Sequence, residues 1–383
     1  MSIIYSFTTA AELIYGRGCV ERLGEEVKKL GDKILLITGH SSLKKAGILS
    51  TIEKIFAKAG VEYVIYNRVS PEPELELVAE ALQIIQREKC EVVVGIGGGS
   101  ALDVAKAAAG LTNSPHSVYE HFKGKRVDTT GIPFVAIPTT AGTGAEVTPN
   151  SVLSDKEHQV KKSIRSPSFL ADKVLVDPEL MVSLPAKVTA YSGMDAFVQG
   201  IEAFTSKNAN FLTDALSLKG VELVGRHIRR AYEQGDDIEA REAMAYGSLI
   251  IGVAFSNCRL GAVHGMAHPV GALYGVSHGL VCGTLLPTVM RYNLPVAGKK
   301  YAQIATALGI SSDCSPAEAA EDLIKHIEEL LKVLEIPAKL NKIGLREEDI
   351  PELARMSLPS GSLKANPRPV SYEDLVELFK QHL

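Results

Sequence analysis

Positive charge is in short supply. Forty-one Lys and Arg against 45 Asp and Glu leave a formal charge of −4, which argues against the clustered cations of a nucleic-acid or anionic-membrane surface. No apolar run reaches the roughly 20 residues of a membrane span. The opening residues, Met1-Ser-Ile-Ile-Tyr-Ser-Phe7, lack the basic segment and long apolar core of a secretion signal. Cysteine is scarce, odd in number and without C-x-x-C spacing (Cys19, Cys90, Cys258, Cys282, Cys314), which speaks against a disulfide framework or a zinc ribbon. The expected setting is a reducing cytoplasm. Tryptophan, internal repeats and low-complexity tracts are absent too. At 383 residues the chain exceeds one simple core, and two domains are the expectation.

Residues 1–180 alternate short β-rich runs with helical patterns. Lys33–Thr38, Tyr63–Tyr66, Val92–Ile96 and Phe134–Ile137 read as strands; Ile52–Ala59, Leu75–Glu88 and a segment from about Ala101 read as helices. This alternation predicts a Rossmann-like parallel sheet with helices on both faces, and such sheets bind ligands at the carboxyl ends of their strands. Residues 181–383 change character: Thr189–Ser206, Phe211–Glu233, Ile238–Phe255 and Pro316–Leu334 predict an all-α domain.

The densest chemistry lies between Phe255 and Gly279. Three of the ten histidines fall there, His264, His268 and His278. His264 and His268 are four apart and share a helix face, Pro269 is expected to end that helix, and the glycines beyond it suit a turn that returns His278. Imidazole is the commonest metal ligand and a titrating acid near neutral pH. Core or capping histidines are the competing reading.

Two loops suit a nucleotide. Gly95-Ile-Gly97-Gly98-Gly99-Ser100-Ala-Leu-Asp103 joins a buried strand to a helix, where bare backbone and free N–H groups can approach a phosphate. Ser100 stands where the usual dinucleotide fingerprint has Gly, so the stretch alone also fits a tight turn with no ligand. Pro138-Thr139-Thr140-Ala-Gly142-Thr143-Gly144-Ala-Glu146-Val-Thr148 follows another strand with hydroxyls suited to ribose and pyrophosphate. At the end of the first of these strands stand Gly39, Ser41, Ser42, Lys44 and Lys45, with no carboxylate to repel a 2′-phosphate. NADP(H) is therefore favoured over NAD(H).

Together these stretches, with Asp177-Pro-Glu, Ser192-Gly-Met-Asp-Ala196, His264-Gly-Met-Ala-His268 and Asn366-Pro-Arg-Pro369, resemble the iron-dependent (group III) alcohol dehydrogenase family, which shares its dehydroquinate synthase-like fold with glycerol dehydrogenase. The resemblance covers nearly the whole chain. It implies that Gly97, Gly98 and Ser100, in the motif closed by Asp103, hold the pyrophosphate, and that Thr139, Thr140 and Thr143 line the adenine and ribose path. Asn150, Lys162, Leu180 and Phe255 match positions around the nicotinamide. Asp195, His264 and His278 match three ligands of a divalent metal, Fe²⁺ or Zn²⁺, and His268 matches the histidine beside the reacting carbon. The family's fourth ligand, a histidine, is here Gln199, a weaker donor. Arg259 stands where relatives carry a small or apolar residue, as a candidate anchor for an anionic substrate. The implied reaction interconverts an alcohol and an aldehyde or ketone by hydride transfer, in a homo-oligomer. A metal-independent oxo-acid reductase of the maleylacetate reductase kind, a dehydroquinate synthase-type lyase and a non-catalytic nucleotide-binding protein are the competing readings.

Overall fold

The computed structural model describes residues 4–157, 160–310 and 314–383. The chain folds as two units, Thr9–Ser183 and Leu184–Leu383, the latter joined by residues 4–8. Thr8 is tied into that second unit by a reciprocal pair: its N–H donates to Asn257 Oδ1 (2.8 Å), and Asn257 Nδ2 donates to its carbonyl (2.9 Å).

Among the described residues the first unit has eight strands: β1 (Glu12–Tyr15), β2 (Lys33–Gly39), β3 (Glu62–Val69), β4 (Val92–Gly97), β5 (Phe134–Pro138), β6 (Asn150–Asp155), β7 (Val160–Arg165) and β8 (Lys173–Val176). Six form a sheet in the order β1-β8-β5-β4-β2-β3, every pair parallel, while β6 and β7 make a separate antiparallel hairpin. Ile34–Ile37 and Val92–Val94 are wholly buried on both faces, which is why these strands read as unbroken apolar runs rather than alternating ones. Helix α1 (Ile48–Ala59) lays Ile52, Ile55 and Phe56, spaced three and four apart, on one face of the sheet. Helix α2 spans Leu75–Glu88, the bounds expected from its periodicity. Helix α3 (Gly99–Leu111) is alanine-rich and buried on nearly every side from Ala101 onward.

The second unit is helical, as expected: α4 (Ala186–Thr205), α5 (Phe211–Glu233), α6 (Ile238–Cys258), α7 (Ala262–Tyr274), α8 (His278–Leu308) and α9 (Pro316–Val333) carry most of it. Asn210 with Thr213 caps α5, and Ser315 with Glu318 caps α9. The expected helix end at Pro269 is not what the structure has: α7 runs on to Tyr274 and stops at Gly275, whose φ is 64°. A proline within a helix forfeits one backbone hydrogen bond and crowds the carbonyl four residues back. The carbonyl concerned belongs to Gly265, and complete burial of Val270, next after the proline, offsets the loss. Among the described residues no single helix is long and apolar enough to cross a membrane.

Candidate active site

The parallel sheet brings the nucleotide-type loops to one edge. β2, β4 and β5 are neighbours, so Gly39, Gly97 and Pro138 end adjacent strands. Gly97 adopts φ 150°, a conformation open to glycine alone, and turns the chain straight into α3. The Thr139 N–H donates to the Gly97 carbonyl at 2.9 Å and pins the second loop to the first. A Cβ built on Gly98 would lie 3.4 Å from Thr140 Oγ1, and one on Gly99 only 2.8 Å from Thr143 Oγ1. Gly98 and Gly99 thus approach Thr140 and Thr143, and Ser100 follows them in the first turn of α3, where N–H groups lack intrahelical partners. Ser41 precedes the short helix Ser42–Lys45 without its side chain capping it.

The other residues of the cofactor set lie on separate elements. The Asp103 carboxylate is buried, where it accepts the Val152 N–H (3.1 Å) and pairs with Lys106 Nζ (3.4 Å). Burial raises its pKa, against the Lys106 charge. Lys106 in turn donates to the carbonyls of Ala145, Thr148 and Asn150, so it holds the threonine loop and the start of β6 onto α3. Lys162, on β7, sits 4.6 Å from the centre of the Phe122 ring. Leu180 is buried in the short turn Pro178–Met181, capped by Asp177. Phe255 belongs to the last turn of α6 in the second unit. Arg259 ends α6 with φ 67°; it is exposed, and its guanidinium lies beside Gly361.

The second unit assembles a buried polar cluster from three helices. Asp195, Gln199 and Glu202 recur at four and three residues along α4, one stripe of one helix. His264 stands in the first turn of α7, and His278 opens α8 with Cys282 one turn on. His264 Nε2 lies 3.3 Å from Asp195 Oδ1, and His278 Nε2 lies 3.8 Å from the same oxygen. Cys282 Sγ is 3.5 Å from His278 Nε2. One donor atom from each of Asp195, His264, His278 and Cys282 falls within 4.8 Å of every other. His268 stacks on His278, ring centres 4.8 Å apart and planes 15° from parallel, and both rings are half-buried where Asp195, His264 and Cys282 are buried.

Glu202 fixes the tautomer. One of its oxygens accepts from His264 Nδ1 and the other from the Val263 N–H, both at 2.6 Å. A carboxylate at Nδ1 makes that nitrogen a fixed proton carrier and turns Nε2 toward Asp195 as the atom free to meet a cation once its proton leaves. Asn366 accepts the Ala262 N–H (3.1 Å) and exchanges two hydrogen bonds with Asn293, so the Asn366-Pro-Arg-Pro369 stretch anchors the start of α7. Gln199 Nε2 donates to Asp195 Oδ2 at 3.1 Å, and its Oε1 is buried with no partner. At Gly279 a Cβ would meet the Tyr191 carbonyl at 2.0 Å, so α8 approaches α4 closely enough only because that residue is glycine.

Burial works to raise the Asp195 pKa, yet its contacts with His264 and His278 outweigh burial and hold the carboxyl low. Burial likewise opposes charge on His264, and its interactions with Cys282, Glu202 and Asp195 hold its pKa well above the ordinary value. The Cys282 thiol is pushed by burial up to about 12. A buried set of carboxylate, imidazole and sulfur donors with the His264 Nε2 atom already aimed inward is the chemistry of a divalent-cation site.

Residues 10–178 match the model of the iron-containing alcohol dehydrogenases, and residues 189–383 match that family's C-terminal domain. The chain belongs to the iron-containing alcohol dehydrogenase family. It is 37% identical to a 1,3-propanediol dehydrogenase of Citrobacter freundii and 36% identical to an NAD-dependent methanol dehydrogenase of Bacillus methanolicus, over 96% and 97% of both chains respectively. A solved 1,3-propanediol oxidoreductase superposes with a TM-score of 0.96 at 36% identity, over 100% of both chains. As a member of this family the protein is a nicotinamide-dependent oxidoreductase acting between alcohols and aldehydes or ketones, and membership implies a divalent cation. The residues present fit one. Metal–donor bonds of about 2.0–2.3 Å set donors roughly 3.3–3.6 Å apart across a tetrahedral angle, and the edges found here are 3.3, 3.5 and 3.8 Å.

Two residues of this iron-containing alcohol dehydrogenase site escape the sequence reading. Glu202 and Cys282 stand seven and four residues after Asp195 and His278, on the same helix faces. That spacing is the signal that finds them.

Proposed function

We propose that the enzyme is a metal-assisted, NADPH-preferring reductase of small aldehydes or ketones, running the reverse oxidation when the alcohol is in excess. Support for metal assistance is the Asp195–His264–His278 cluster with its Glu202-oriented imidazole. A divalent cation held there would polarise the substrate oxygen, and the nicotinamide supplies the hydride. The protein's own residues do the rest. Asp195 and the Nε2 atoms of His264 and His278 form the cation cradle, Gln199 steadies Asp195, and Glu202 keeps His264 in the ligating tautomer. His268, half-buried and stacked on His278, would guide the substrate and relay its proton outward. Gly97, Gly98, Ser100 and the threonines 139, 140 and 143 hold the dinucleotide by backbone N–H groups and hydroxyls.

Preference for NADPH rests on the end of β2, where Gly39, Ser41 and Ser42 replace a carboxylate and Lys44 and Lys45 follow. An acidic residue there would bond the ribose 2′-hydroxyl and repel a 2′-phosphate. The test measures kcat/KM for NADPH and NADH with a panel of short aldehydes, before and after chelator treatment and metal restoration. We expect NADPH to be favoured, activity to fall with the chelator and return with metal, and Gly39→Asp to reverse the preference by at least about tenfold, about 1.4 kcal/mol. NADH preference in the unmodified enzyme rejects the cofactor assignment. Chelator-insensitive turnover rejects metal assistance.

A further inference from the structure

We propose that Cys282, not Gln199, supplies the fourth protein ligand, and that its thiolate makes this a zinc-selective centre. The proposal rests on the metal-assisted reading above and specifies which donors that metal meets. Gln199 is already committed: Asp195 Oδ2 can only accept, so the Gln199 amide turns its nitrogen toward it, 3.1 Å away. Its oxygen is buried without a hydrogen-bond partner. Cys282 converges with the other donors. Its Sγ lies 3.5 Å from His278 Nε2, close to the roughly 3.5 Å separating sulfur from nitrogen when bonds of about 2.3 and 2.0–2.1 Å meet at a tetrahedral zinc. It is wholly buried, and being one helical turn beyond His278 it presents its donor from the same face of α8.

The chemistry follows from the exchange. Coordination takes the thiol as thiolate, releasing one proton to solvent, with no change of oxidation state. The donor set becomes one carboxylate, two imidazoles and one thiolate. Thiolate is soft and favours Zn²⁺ or its spectroscopic substitute Co²⁺ over Fe²⁺ held by nitrogen and oxygen donors. A zinc ion held by these four residues would still tolerate a fifth donor, which leaves room for a substrate oxygen. Gln199 is left as a positioning residue for Asp195.

The test loads the metal-stripped full-length protein with Co²⁺ and records its absorption. A thiolate ligand gives an intense sulfur-to-cobalt charge-transfer band in the near ultraviolet beside the visible bands of four-coordinate cobalt. We expect that band in the unmodified protein and in Gln199→Ala, and its loss in Cys282→Ser, with the visible bands retained. Competition between Zn²⁺ and Fe²⁺ should show zinc affinity lowered at least about tenfold in Cys282→Ser, the loss that even outer-shell substitutions cause. Visible cobalt bands without the charge-transfer band in the unmodified protein, or a band that persists in Cys282→Ser, overturn the proposal and leave metal assistance standing. Failure of the unmodified protein to bind Co²⁺ overturns both. The reading on unmodified protein needs no variant to fold.

Discussion

Replacing Glu202 with glutamine should disable the metal site through a single proton. Both Glu202 oxygens now accept, from His264 Nδ1 and from the Val263 N–H, at 2.6 Å each. Glutamine has one acceptor and one donor end. If its oxygen stays on Val263, its NH₂ faces Nδ1 and forces the proton onto Nε2, the atom that faces Asp195. If it turns round, two donors confront each other at Val263, and a charge-assisted bond of about 1.5–3 kcal/mol is lost. Either arrangement weakens the ligand, and outer-shell changes of this kind cost about 10–100-fold in metal affinity, roughly 1.4–2.7 kcal/mol. The assay is competition of Zn²⁺ or Co²⁺ between the protein and a chelator of known affinity at fixed pH, with thermal unfolding of the metal-stripped protein as control. For a unit of this size each kcal/mol moves Tm by about 2–4 °C, so the variant should remain folded at room temperature. Unchanged metal affinity in a folded Glu202→Gln protein would refute the tautomer argument.

Three further outcomes are expected. Gly279→Ala must push α8 away from the Tyr191 carbonyl, at an overpacking cost of about 1–3 kcal/mol or more; thermal unfolding should show the loss, and metal analysis should show substoichiometric binding because His278 and Asp195 lie on the two helices forced apart. Glu26 is buried, and its bonds to Lys173, Lys29 and Arg22 lower its pKa from 4.5 to about 2. A depressed carboxyl stabilises the fold above its unfolded pKa and loses that contribution as pH falls, here between about 4.5 and 2, for roughly 3 kcal/mol at 1.36 kcal/mol per unit; denaturant titrations across that window should show it, and Glu26→Gln should flatten the acid limb. Gly99→Ala would bring a Cβ to 2.8 Å from Thr143 Oγ1 and should raise KM for the dinucleotide several-fold while leaving metal content intact; an unchanged KM would place the nucleotide elsewhere.

The sheet core was readable because β2, β4 and β5 are buried on both faces and so carry unbroken apolar runs. β1 and β8 were not: each is four residues long and is recognisable only through its neighbour in the sheet. The β6–β7 hairpin hides for another reason, since Val160–Arg165 is mostly polar and becomes a strand by pairing with Asn150–Asp155. Pro269 misleads because local propensity is overridden where the flanking residues Ala267 and Val270 are completely buried. The histidines announced the cluster by their number, whereas Glu202 and Cys282 are ordinary residues until helix geometry turns them inward. Asp103 looks like part of a ligand motif in one dimension, and in three it neighbours a lysine one turn away.

The bond pair between Thr8 and Asn257 joins positions 249 apart. It makes the α/β unit an insert within the helical one. During synthesis the inserted unit emerges complete while the short leading segment still waits for its partner helix to be made. Closing so long a span is easier once the intervening chain has already collapsed into a compact body. Expression from residue 9 to residue 183 therefore excises a whole folding unit, whereas a fragment beginning at residue 184 leaves Asn257 without its strap.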